Sequence, residues 1–78
     1  MTKLLQGLQP LRQARKLTQE ELAKKAGVSV ETIRKHEQGA YDGISGDTLN
    51  KLAGALGCPS AFLFLPYNSD VSENQESA

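Results

Sequence analysis

Residues 29–38, SVETIRKHEQ, place eight side chains that can donate or accept hydrogen bonds in ten positions. On a helix turning ~100° per residue, Val30, Ile33, His36 and Glu37 fall on one half. Glu31, Lys35 and Gln38 point away from it, with Thr32 and Arg34 on the flanks. Such a face offers a partner a row of donors and acceptors rather than a reaction centre. Catalysis would need a nucleophile, a base and an orienter in register, and no spacing in the chain joins them. His36 has no second histidine and no nearby cysteine in sequence. It reads as a packed histidine, not a metal ligand or a catalytic base. Neither a metal-ligand spacing nor a phosphate-binding loop occurs. The expectation is a protein that is not an enzyme, with no metal and no cofactor.

Other elements must hold that row outward. Five helical segments and no strand pattern can be read, so the expected fold class is all-α. Helix 2 is the clearest. Thr18-Gln19-Glu20-Glu21 is a capping box, and Leu22, Ala23 and Ala26 form the inner stripe up to a stop at Gly27. Helix 3 follows a short turn, with Ser29 as its cap and Gly39 as its stop. Helix 1 either starts near Pro10 or has an earlier turn from Thr2 to Leu8 that kinks there. Helix 4 runs from about Gly46 to Leu56, capped by Ser45 or Asp47, with Leu49, Leu52, Ala53 and Leu56 at helical spacing and Gly57 at its end. Helix 5 is a short piece from about Pro59 to Leu65. Two helices about a tight glycine turn form a helix-turn-helix. In it Ala23 permits the close crossing, Gly27 makes the turn, and Ile33 plugs the crossing from the other side.

A chain of 78 residues makes one small domain with a thin core. We expect it to span residues 1–65, followed by a flexible acidic tail, residues 66–78, with too few apolar side chains to offset its ordering entropy. Residues 40–46 read as a flexible loop. No apolar run reaches membrane-spanning length, and the N-terminus does not read as a signal peptide. The single cysteine, Cys58, cannot form an internal disulfide, which favours a reducing, cytoplasmic setting. The formal net charge of +0 hides an asymmetry. In residues 1–39, eight cations (Lys3, Arg12, Arg15, Lys16, Lys24, Lys25, Arg34, Lys35) face four carboxylates (Glu20, Glu21, Glu31, Glu37), whereas residues 66–78 carry only Asp70, Glu73 and Glu76. A basic front with an acidic tail suits a polyanionic partner, although solvated helix faces would look the same.

The stretch LRQARKLTQEELAKKAGVSVETIRKHEQG, with TLNKLAGALGC after it, resembles the lambda-repressor-like, Cro/XRE-type helix-turn-helix family over about residues 8–65. The resemblance implies a compact five-helix DNA-binding domain with the motif at helices 2 and 3. It further implies a transcriptional regulator, most often a dimeric repressor on a palindromic operator, located in the cytoplasm with the nucleoid. Helix 3 would enter the major groove of double-stranded DNA, making Ser29, Val30, Glu31, Thr32, Arg34 and Lys35 base-contact candidates. Lys35 could donate to guanine, Glu31 accept from the cytosine amino group, and Val30 pack on a thymine methyl. Glu31 near the helix start would also complement the helix dipole, and Val30 would also suit the core. Gln19 matches the family glutamine that anchors a backbone phosphate with the free N–H groups of helix 2. Gln38, Arg12, Arg15 and Lys16 are further phosphate candidates. Arg12 and Glu37 match a family ion pair that is structural first, orienting helix 3.

Two departures from the family pattern stand out. His36 occupies a usual apolar or aromatic slot. The loop AYDGISG lacks the basic residues many relatives set on phosphates, and Asp42 there would repel them. Leu63 and Phe64 match family core positions. Phe62 is additional, a candidate anchor for a homodimer through helix 5. No small-molecule ligand and no membrane partner are evident. The competing reading is a protein-interaction module, or an antitoxin, using the same fold with a protein as its main partner. The sequence leaves open a phage-type repressor, a restriction-modification controller or an antitoxin.

Overall fold

Thr18, Ser29 and Ser45 each start a helix, and for the same reason. The first N–H groups of a helix have no acceptor within it, and a hydroxyl one residue ahead supplies one. A computed structural model describes residues 4–66. Thr18 Oγ1 accepts the Glu21 N–H at 3.0 Å while Glu21 Oε1 accepts the Thr18 N–H at 2.8 Å, so the capping box is complete. Ser29 Oγ accepts the Thr32 N–H, and Ser45 Oγ accepts the Thr48 N–H, each at 3.2 Å. The start of the fourth helix is therefore capped by Ser45; Asp47 lies in its first turn.

The resulting elements are α1 (Leu8–Ala14), α2 (Gln19–Ala26), α3 (Val30–Gln38), α4 (Gly46–Leu56) and a closing 3₁₀ turn (Ser60–Phe64). There is no strand among the described residues. The expected fifth helix is thus not an α-helix. Its five residues end at Phe64, followed by Leu65, whose ψ of 145° is the extended conformation favoured in front of a proline. Pro66 stops the segment before a regular helix can build.

Pro10 is the third residue of α1, where a missing N–H costs nothing because no helical acceptor exists for it. A turn over residues 4–7 precedes α1, which begins at Leu8, two residues before Pro10; the Thr2 and Lys3 part of the expected earlier turn lies outside the described residues. Gly27 ends α2 at φ 75°, a left-handed corner that a β-carbon resists. Val28 N–H then reaches back to the Ala23 carbonyl at 3.0 Å, closing the turn between α2 and α3. α1 makes the same kind of corner without a glycine: Lys16 sits at φ 60°.

Leu5, Leu8, Leu11, Leu22, Ala23, Ala26, Ile33, Leu52, Ala53, Leu56 and Leu63 form one buried cluster, with Val28, Val30, Ile44, Leu49 and Phe64 packed around it. Every described helix contributes. Leu22, Ile33, Leu52 and Leu63 are fully buried, and each such side chain contributes about 1.5–3 kcal/mol of transfer free energy. The start of α1 and the closing turn meet at this core. Gly7 N–H donates to the Leu63 carbonyl at 2.9 Å, and a β-carbon at Gly7 would run into the carbonyl oxygens of Phe62 and Leu65. The expected acidic tail, residues 66–78, lies outside the described residues from position 67 onward.

Candidate functional site

The α2–α3 pair turns one face of α3 inward and frees the other. Ile33, His36 and Glu37 are buried, and Val30 is half-buried against the core. Glu31 and Gln38 are exposed, and Thr32, Arg34 and Lys35 lie between. The small side chain of Ala23 and the corner at Gly27 bring the two helices together, with Ile33 fully enclosed at the crossing.

The outward row is internally paired. Arg34 Nη1 lies 2.7 Å from Glu31 Oε1, and Lys35 Nζ lies 3.8 Å from Glu31 Oε2. Sequence reasoning did not anticipate this clamp. Its signal was present in the spacing, since a glutamate reaches cations three and four residues later on a helix. Ser29 and Thr32 are also engaged. Their hydroxyl oxygens lie 2.9 Å apart, and the Ser29 oxygen serves as the cap of α3 as well.

Behind the exposed face lies a buried polar node. Glu37 Oε2 accepts from Arg12 Nε at 2.6 Å, and Oε1 accepts from Arg12 Nη2 at 3.1 Å. Arg12 Nη1 donates to the Leu17 carbonyl at 2.7 Å, so all three guanidinium nitrogens have partners inside the protein. The forked donor matches the carboxylate's two oxygens, which makes this a strong and directional pair. Gln19 joins it: its Nε2 donates to Glu37 Oε1 at 2.9 Å. The node ties α1, the head of α2 and the last turn of α3 at one point. Sequence matching did not suggest that Gln19 belonged to it.

Gln19 is half-buried at the first position of α2. The capping box satisfies the N–H groups of Thr18 and Glu21, leaving those of Gln19 and Glu20 free at a helix N-terminus. An amide carries two donor hydrogens, so Gln19 keeps one after serving Glu37. This corner suits an anion. Arg15 is placed differently: its Nε donates to the Leu56 carbonyl at 2.9 Å, at the negative end of α4. Lys16 is exposed on the corner after α1, and Gln38 is exposed at the end of α3.

His36 is packed edge-on against Tyr41, with ring centroids 4.6 Å apart. Its buried Nδ1 has no hydrogen-bond partner. Burial lowers the pKa of the imidazole below its ordinary value, favouring the neutral ring. Burial likewise pushes the Cys58 thiol up, with nearby Arg15 pulling weakly the other way, so Cys58 is held as a thiol. Among the described residues no three His, Cys, Asp or Glu side chains group to hold a metal ion. No described helix is long and apolar enough to cross a membrane.

A family model described as helix-turn-helix matches residues 8–63, which takes in the four described α-helices and most of the closing turn. No curated protein matches the chain.

Proposed function

The chain belongs to the lambda-repressor-like helix-turn-helix family, whose members are DNA-binding regulators, and from that membership we propose that it represses transcription as a homodimer on a palindromic operator. Each protomer lays α3 in the major groove of one half-site, with the two half-sites about one helical turn apart. Lys35 and Arg34 supply donors to base edges, Glu31 supplies an acceptor, and Ser29, Thr32 and Val30 line the approach. Gln19, with the free N–H groups beside it, holds a backbone phosphate, and Gln38 and Lys16 add to that grip. DNA binding keeps the protein with the nucleoid in the cytoplasm.

One observation carries this reading. The polar half of α3 is open to a partner, while its other half is locked to α1 and α2 through Ile33 and the Arg12–Glu37–Gln19 node. A recognition surface must be both accessible and rigid, and α3 is both. For dimerisation, Phe62 in the closing turn is 50% exposed and Leu65 just after it is 56% exposed, two apolar side chains open to a second copy.

Selection of bound duplexes from a random pool tests the proposal, followed by titrations of selected and random duplexes over a range of salt. The expected outcome is a two-fold symmetric site and an affinity that falls steeply with salt. Weak, salt-independent binding that does not distinguish the two duplexes would sink it and favour a protein as the main partner.

A further inference from the structure

The carboxylate of Glu31 stands in the first turn of α3, on the face that the proposed function turns toward DNA. One oxygen takes Arg34 Nη1 at 2.7 Å, and the other faces Lys35 Nζ at 3.8 Å. The three side chains are 53%, 40% and 44% exposed, so none is tied down by the core. As a contribution to stability such a surface cluster is minor. Its position is more informative. Arg34 and Lys35 are the only cations of α3, and the only carboxylate on its outward half engages both.

A duplex approaching this face meets two cations whose charge is already partly neutralised. A run of phosphates alone offers Glu31 nothing: it repels the carboxylate and competes with it for Arg34 and Lys35. A base edge with an amino donor, as cytosine presents in the major groove, is different. That donor can replace the cations on the Glu31 oxygens and free both of them for phosphate or guanine. The carboxylate therefore charges a larger penalty to wrong sequences than to right ones, which is how specificity is raised without raising affinity.

Resting on the DNA-binding reading above, we propose that Glu31 is a specificity-determining charge clamp, holding Arg34 and Lys35 until a duplex offers its carboxylate a hydrogen-bond donor. It acts through the two cations and is in that sense a positioning residue.

Wild type and Glu31→Gln are compared on a random duplex and on the duplex selected by wild type, across a salt series. Circular dichroism verifies that the variant remains helical. Freeing the equivalent of one phosphate contact should make Glu31→Gln bind the random duplex about eightfold tighter at about 0.1 M salt, with a salt slope steeper by about 0.9. The selected duplex should gain much less, so that discrimination falls. The same substitution in an Arg34→Gln, Lys35→Gln background should bring a much smaller gain, only the part due to direct repulsion between the carboxylate and phosphates. Unchanged affinity and slope on random duplex would overturn the clamp, as would equal gains on both duplexes. A gain of the same size without the two cations would also overturn it, because the carboxylate would then act on phosphates alone. These results leave the DNA-binding reading standing. A wild type with no salt dependence and no preference between duplexes would remove that reading and the clamp together.

Discussion

Gln19 Nε2 lies 2.9 Å from Glu37 Oε1, so the first residue of α2 is bonded to the last turn of α3. The same oxygen accepts from Arg12 Nη2. Glu37 therefore sets the angle between the two motif helices and also orients the amide nearest the free N–H groups of α2. Removing the carboxylate would leave a buried guanidinium without its counter-charge. We expect Glu37→Ala to destabilise the fold by about 3–5 kcal/mol, as for other broken buried pairs. Gln19→Ala, which removes one amide contact, should cost about 0.5–1.5 kcal/mol. Urea denaturation of the two variants checks the ranking. Equal losses would mean that the node is not centred on Glu37.

Gly7 and Gly54 should respond oppositely to alanine. At Gly7 the added β-carbon meets the backbone carbonyls of Phe62 and Leu65, which cannot rotate away as a side chain would. Gly7→Ala must shift the closing turn and is expected to cost about 1–3 kcal/mol. Gly54 lies inside α4 with open space where its β-carbon would be. Gly54→Ala should stabilise by about 0.5–1 kcal/mol through lower unfolded-state entropy and better helix propensity. Thermal midpoints report both signs. A tolerated Gly7→Ala would show that the 3₁₀ turn is not held tightly against the start of α1.

His36 gives the fold a pH dependence of definite sign. Burial lowers its folded pKa below the ordinary value of 6.5, whereas the unfolded chain keeps that value. As pH falls through about 6.5 the unfolded state takes up a proton first, so stability drops. The loss levels off once pH is below the folded pKa. Above the unfolded value the contribution of the neutral ring is fully present. Thermal midpoints from pH 8 to pH 5 should therefore decline on the acid side in wild type. His36→Phe should flatten that decline, and it also removes the partnerless Nδ1. An unaltered slope in the variant would assign the acid sensitivity to other groups.

Local chemistry made most of the fold legible. The hydroxyls of Thr18 and Ser29 and the corners at Gly27, Gly39 and Gly57 act within one turn of chain, and each is found where the sequence indicates. The inward set of α3 followed from helical periodicity for Ile33, His36 and Glu37. What escaped depends on distant contacts or breaks a local rule. Lys16 adopts φ 60° because Leu17 must turn back, its N–H reaching the Arg12 carbonyl at 3.2 Å, and no glycine announces that corner. Gly7 is needed for room beside residues more than fifty positions away, which no local pattern records. Gln19 touching Glu37 is likewise a tertiary fact. The Glu31 pairs carry a local signal, their spacings of three and four residues, but the direction of each side chain around the helix does not by itself reveal its partner.

Lys35 and Gln19 should separate the reading of bases from the grip on backbone. Lys35 Nζ is 3.8 Å from its intrahelical partner, too long for a tight bond, and the side chain stands at 44% exposure on the outward half of α3. It is the more loosely held of the two cations on Glu31, and once released it can donate to a guanine edge. Lys35→Ala should relax preference at one base position, at a cost of about 1–3 kcal/mol on the selected duplex and much less on others. Gln19 lies at the head of α2 with one amide hydrogen fixed on Glu37. A phosphate bound there carries no sequence information. Gln19→Ala should therefore weaken selected and random duplexes by a similar factor. Because Gln19 also braces Glu37, its effect must be compared at temperatures where both variants are fully folded. Competition binding with single-base variants of the selected site distinguishes the two outcomes. Uniform weakening by Lys35→Ala together with position-specific loss from Gln19→Ala would reverse the assignment and move base recognition from α3 to the α2 terminus.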